Sequence, residues 1–331
     1  MLPISLRLCK AAAGILLVAA VAACSGVQPL DSETYAGYSP RVELDAVPWY
    51  PADPYQCGPQ SLAALLTASG VDTAPESLVS DIYVPDRQGS FAPELSAAAR
   101  ARGRMPHRVG PELEDLVEVL ADGHPVLVLQ NVGLGVAPTW HFAVVVGYDR
   151  AENTFLLRSG SRRELEMSAP RFERRWRLGE HWAIALLDPG ELPAWVELEE
   201  YETQLAYLEG SWSPYLESIY RRMLVRWPES KVANLGMGNL AFGRGELRDA
   251  ESHYRRVLSL DENHIAALNN LAEVYARRGQ LDAALMTACR ALRLASGHPL
   301  ESSVSATVEA IREKRPHTHC PGAPVHAGTR Y

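Results

Sequence analysis

The sequence predicts an α+β domain followed by an all-α array of repeats. Between Val47 and Leu187, helices with apolar residues three and four apart give way to short strands joined by hairpin-length turns. From Trp195 onward the strand pattern stops and residues of like type recur 34 positions apart. Between these stretches, Asp188-Pro189-Gly190-Glu191-Leu192-Pro193 has the composition of a linker. With 331 residues, 47% of them apolar, the chain has material for two cores. Its net charge of -8 argues against a nucleic-acid partner.

Residues 1–24 read as an export signal, excluded from the fold. Arg7 and Lys10 form a positive start, and Ala11 to Val21 an apolar stretch too short to span a bilayer comfortably. Val21-Ala22-Ala23-Cys24 then resembles a bacterial lipobox, which implies cleavage before Cys24 and lipidation of its sulfur. Ser25 follows instead of the aspartate linked with inner-membrane retention, so the expected address is the outer membrane, facing the periplasm. The other reading is an ordinary secretory signal with a chance cysteine. Residues 25–46 are expected to be a polar tether. Of the five cysteines, Cys9 leaves with the signal and Cys24 takes lipid. Cys57, Cys289 and Cys320 remain, an odd set without framework spacing, so no disulfide scaffold is implied.

In residues 47–187, helices are expected at Ser61–Ser69, Pro93–Arg102 and Pro111–Ala121. Strands are expected at Val126–Asn131, His141–Tyr148, Thr154–Arg158, Glu164–Met167 and His181–Leu187. Helices on one side of this antiparallel sheet would complete the domain. Tyr55-Gln56-Cys57-Gly58-Pro59-Gln60-Ser61 sets one cysteine at the start of the first helix. There Pro59 suits the first turn, and free N–H groups favour a thiolate. The plainer reading is a buried cysteine capping a core helix. Trp140-His141-Phe142-Ala143-Val144-Val145-Val146 sets a histidine where a buried strand begins, the second half of a thiol–imidazole pair. The loop from Asn131 to Pro138 would rim the cleft, as a substrate contact or as a plain connection.

These motifs, with Ile82-Tyr83-Val84-Pro85-Asp86-Arg87-Gln88-Gly89 between them, resemble the bacteriocin-processing, double-glycine-leader cysteine peptidases. The resemblance spans Val47 to Leu187. It implies a papain-like fold, Cys57 as nucleophile, His141 as general base and acid, and a peptide or protein substrate. Two positions depart from it. Where the family has an oxyanion-holding glutamine this chain has Pro51, and Gln56 is the nearest amide. Where the family orients the imidazole with Asp or Asn, this chain offers Ser159. The second functional reading follows from these departures: a catalytically impaired binding module that scaffolds an envelope assembly. No cofactor or metal is implied.

After a linker at 188–194, residues 195–299 show the tetratricopeptide period: Gly245 aligns with Gly279, Leu247 with Leu281, Ala250 with Ala284 and Leu258 with Leu292. Residues 195–228 read as a degenerate first unit and 300–315 as a capping helix. Such arrays offer a concave face to peptides or proteins, here envelope partners. Asn234, Asn269 and Asn270 are read either as backbone-binding groups there or as plain helix residues. Cys289 is expected in the core of a second helix. The tail, 316–331, carries His317, His319, Cys320 and His326 and is expected to be a disordered end; its metal-ligand chemistry lacks a scaffold.

Overall fold

The computed structural model describes residues 28–51, 56–87, 89–133, 136–208, 215–314 and 320. Residues 1–24, the expected export signal with Cys24, lie outside them. The chain divides into two compact units, Met1–Asp188 and Pro189–Tyr331.

The first unit contains β1 (Arg41–Glu43), α1 (Cys57–Ala68), α2 (Glu76–Ile82), α3 (Ala92–Ala101), β2 (Met105–Arg108), α4 (Leu113–Ala121), β3 (Val126–Asn131), β4 (Trp140–Asp149), β5 (Thr154–Ser159), β6 (Arg162–Ser168), α5 (Ala169–Leu178) and β7 (Ala183–Leu187). The strands form one antiparallel sheet in the order β2-β7-β3-β4-β5-β6, with β1 added to β4. β5 occupies one edge of β4 as far as Asp149, so β1 continues the edge that β3 leaves at Val145. Pro106, which has no N–H to give, is tolerated because β2 ends the sheet.

Helices cover both faces, where one was expected. Phe142, Val144, Val146, Leu127 and Ile184 pack with Leu62, Leu65 and Leu66 of α1. On the other face Phe155 meets Phe172 of α5 at 4.7 Å between ring centres. Burial on both faces is why the strands read as continuous apolar runs such as Phe-Ala-Val-Val-Val instead of alternating. α5 went unrecognised because four arginines hide its apolar stripe of Phe172 and Trp176, both fully buried. β1, β2 and α2 are too short to show a period.

The tether expected over 25–46 is corrected from residue 28 onward. Leu30 is fully buried, and its N–H donates to Asn153 Oδ1 at 3.1 Å. Arg150 donates to the carbonyls of Leu30 and Tyr38. Composition marks this stretch as polar, but Leu30, Tyr35 and Val42 give it enough apolar surface to dock.

The second unit holds α6 (Leu198–Leu208), α7 (Leu216–Arg226), α8 (Lys231–Gly243), α9 (Leu247–Leu260), α10 (Ile265–Arg277), α11 (Leu281–Leu294) and α12 (Glu301–Lys314). Gly245 and Gly279 turn the chain at φ +78 and +74, a conformation that favours glycine. Ala250 and Ala284 are fully buried. Gly238 lies so close to the Tyr254 ring that an added Cβ would sit 2.5 Å from it. The helix caps repeat too: Ser230 Oγ accepts from Ala233 N–H and His264 Nδ1 from Ala267 N–H.

The tail brings the other correction. Cys320 is buried and disulfide-bonded to Cys289 of α11. Spacing could not reveal this pair, because α12 intervenes and must fold back on α11 to bring the sulfurs together. Ala288, Cys289, Val308, Ile311 and Cys320 share one apolar cluster. Closing a loop across 31 positions adds on the order of 3–4 kcal/mol in the chain-entropy account. His317, His319 and His326 lie outside the described residues.

At Gly147 an added Cβ would overlap the carbonyl oxygen of Val42 in β1. Gly147→Ala is therefore expected to cost about 1–3 kcal/mol in denaturant unfolding. Gly37→Ala, with no neighbour within 4 Å, should be close to neutral.

Candidate active site

α1 opens at Cys57, as the Cys-Gly-Pro motif suggested and four residues before the expected Ser61–Ser69 span. Gln56 is its N-cap and Gln60 N–H closes the first turn on the Gln56 carbonyl. Pro59 sits in the first turn, where no intrahelical N–H is needed. Gly58 is required by packing: a Cβ there would stand 2.5 Å from Ser90 Oγ. Leu62, Leu65 and Leu66 sink into the core, and Ser61 Oγ donates to the Phe142 carbonyl at 3.2 Å. The N-terminus of α1 is thereby fastened to the start of β4, where His141 stands.

Cys57 is the free cysteine among the described residues and is partly buried. Its sulfur faces the backbone N–H of Phe142, the residue after His141, and the N–H groups of Gly58 and Cys57 itself. Burial pushes the thiol up; these three donors pull it down, and burial wins. The helix N-terminus thus favours a thiolate less than the sequence suggested, because the same packing removes the sulfur from water.

His141 Nε2 lies 2.9 Å from Ser159 Oγ. That leaves Nδ1 as the ring nitrogen without this contact. A hydroxyl can give or accept, so Ser159 fixes the ring's position without fixing its tautomer. It also lacks the negative charge with which a carboxylate would stabilise an imidazolium. Burial, and then the positive charge of Arg175 on α5, hold His141 below the usual histidine value. Gly160 turns the chain after β5 at φ +56, and a Cβ on it would lie 3.8 Å from His141 Cε1. Trp49 Nε1 donates to the Gly160 carbonyl at 3.1 Å and holds this turn.

Cys57, Trp49, Gln60, Arg158 and Ser159 line one narrow pocket. Gln60 and Arg158 escaped the sequence reading. Gln60 stands one turn after Cys57 on the same helix face, and its Nε2 donates to the Pro51 carbonyl at 2.6 Å. Arg158 is a charge inside an apolar strand, and that was its signal. The Gln56 side chain makes no capping bond. Around the neighbouring loop, Asn131 Oδ1 accepts from the N–H groups of Gly133 and Thr139, both at 3.0 Å. Val136 and Trp140 are exposed there, while Leu134 and Gly135 lie outside the described residues.

In the array, Asn234 is buried. Its amide donates to the Ser230 carbonyl at 2.8 Å, and Oδ1 meets His253, so it is not offered to a partner. Asn269 is also buried, and its amide lies 3.2 Å from Glu273. Asn270 is half-buried and donates to Asn239 of the preceding repeat at 2.9 Å. Of the three asparagines only Asn270 keeps surface to present.

With the thiol raised, iodoacetamide labelling of Cys57 is expected to be slow at neutral pH and to keep climbing above pH 9.0. A fast rate already level below neutral pH would mean that a thiolate–imidazolium pair persists despite burial. The lowered His141 has the complementary effect on folding. The native state binds fewer protons than the unfolded chain just below pH 6.5, so its contribution is complete above that value and declines as pH falls through the window.

Residues 43–180 match the model of the Peptidase_C39 like family. Residues 235–299 match a tetratricopeptide repeat model. No curated protein matches the chain. Among solved structures, a C39-like peptidase from Bacillus anthracis is 18% identical, covering 45% of this chain and 98% of its own, with a TM-score of 0.37. A double glycine motif protease from an AMS/PCAT transporter, solved with a leader peptide, is 23% identical over 43% of this chain and 91% of its own, at 0.33. The Yersinia enterocolitica type III secretion translocator chaperone SycD is 21% identical over 36% of this chain and 88% of its own, at 0.32. The chain thus joins a Peptidase_C39-like domain to a tetratricopeptide repeat array.

Proposed function

We propose that this protein is a lipid-anchored envelope cysteine peptidase whose repeats bring a peptide or protein to the cleft. The observation that carries the reading is the His141–Ser159 contact at 2.9 Å, with the Cys57 sulfur against the backbone of the next residue, Phe142. In this reading Cys57 attacks a peptide carbonyl as His141 takes the thiol proton. His141 then returns that proton to the leaving amine, and water releases the acyl group from sulfur. The N–H groups of α1's first turn stand ready for the oxyanion. Gln60 serves by bracing the chain before Cys57 through its bond to Pro51. Trp140, the neighbour of His141 in β4, and Val136 of the loop before it are apolar and exposed, and offer a hold for an extended substrate.

The Cys289–Cys320 bond supports the envelope address, since disulfides persist mainly in oxidising compartments. Cys24 remains the proposed lipid site, and the net charge of -8 continues to argue against nucleic acid. Three observations favour the second reading, a peptidase-like binding module: the raised thiol, the lowered imidazole and a hydroxyl in the orienting place all weaken nucleophile activation.

Turnover of a denatured protein substrate separates the two readings. Cys57→Ala is expected to abolish it, and His141→Ala to lower kcat/KM by about 10²-fold or more. Wild-type protein that binds partners through its repeats yet leaves every substrate intact would establish the binding module instead. For the anchor, Cys24→Ala is expected to lose incorporation of labelled fatty acid and no longer to pellet with membranes. A variant that still fractionates with the outer membrane would assign attachment to another part of the chain.

A further inference from the structure

Arg158 is 5% exposed and lines the pocket that holds Cys57. Its partner across the strand pair is Val144, so it faces the α1 side of the sheet. Nη1 donates to the Arg163 carbonyl at 2.8 Å, which fixes the plane of the guanidinium. Nε is buried without a partner. No carboxylate among the described residues pairs with it. A desolvated cation of this kind is normally matched by an anion, and its Nε–Nη2 edge, which has no partner among the described residues, has the geometry that pairs with a carboxylate's two oxygens.

From Arg158 to Arg177 the chain places seven arginines against three glutamates, although the whole protein is acidic. Burial, and then the like charges of Arg171 and Arg174, disfavour the charge of Arg175 on α5. The acid of that helix, Glu173, is engaged by His181 at 3.0 Å. These α5 arginines lie across the sheet from Arg158, and the β6 acids Glu164 and Glu166 are exposed, so the charge at the pocket itself is that of Arg158.

We propose that Arg158 forms an anion subsite beside Cys57 that receives a carboxylate of the bound peptide, from an Asp or Glu side chain or from the C-terminus. The assignment rests on the reading of Cys57 as the reacting thiol. Arg158 is a specificity-determining residue in this scheme. Negative charge delivered there would also offset the field that disfavours the imidazolium of His141, so an acidic substrate would aid its own proton transfer.

The test compares anionic iodoacetate with neutral iodoacetamide on the full-length protein, following Cys57 by peptide mass. The iodoacetate-to-iodoacetamide rate ratio is expected to fall by about tenfold in Arg158→Gln, and by less in Arg158→Lys, which keeps the charge and loses the fork. An unchanged ratio in a folded Arg158→Gln protein overturns the proposal. A second measurement needs only wild type, in case that variant does not fold. Protection of Cys57 from iodoacetamide is expected from N-acetylglutamate α-amide if side chains are read, or from N-acetylalanine if the C-terminus is read. N-acetylglutamine amide should protect poorly. Equal protection by all three overturns the proposal. Carboxylate preference without peptide turnover would leave the subsite standing and remove the peptidase reading.

Discussion

The burial of β4 on both faces is the constraint on which the rest of this structure depends. β3 and β1 share one of its edges and β5 takes the other. α1 packs on one face through Phe142, Val144 and Val146, while α5 closes the opposite side of the sheet. A strand enclosed in this way cannot slip, because a shift of one residue would send every side chain to the wrong layer. That rigidity holds His141 against Ser159 and holds the helix bearing Cys57 against Phe142. Ser61, by bonding to the Phe142 carbonyl, makes the same point of β4 serve both elements.

The same enclosure sets the electrostatics of the site. Removing Cys57 and His141 from water disfavours the charged form of each, so both side chains tend toward neutrality. The helix N-terminus and the Phe142 N–H oppose this without overcoming it. Ser159 adds position and no charge. Beside Cys57 the buried Arg158 has no carboxylate partner among the described residues, and in the proposal above the incoming ligand supplies that charge. A site with these features depends more on what binds it than one whose own carboxylate holds an ion pair in advance.

The repeat array follows a different physical logic. Each unit is local: a glycine turn at Gly245 or Gly279, a buried alanine at Ala250 or Ala284, and a cap at Ser230 or His264. Repetition makes such contacts predictable, because the same steric solution recurs. The end of the array is not repetitive. There α12 and Cys320 cover the last hydrophobic surface, and the disulfide to Cys289 fastens the cover.

The sequence by itself determined the fold class, the main strands of the sheet from Val126 onward, the helix opening at Cys57, and the repeat period. Each is written in local spacing: apolar residues at helical or strand periods, a proline in a first turn, glycines 34 apart. The family resemblance pointed to Ser159 as the residue in the imidazole-orienting place, and in the fold its hydroxyl lies 2.9 Å from His141. Other features were decided only by tertiary structure. Residues 28–46 look polar until Leu30 and β1 find the sheet. Cys289 and Cys320 look unrelated until α12 folds back. Asn234 and Asn269 look available until their repeats close over them. Arg158 reads only as a lone charge in an apolar strand until packing removes its solvent and leaves Nε without a partner. In each case the deciding quantity is burial, which depends on neighbours distant in sequence and so leaves no periodic trace in the chain.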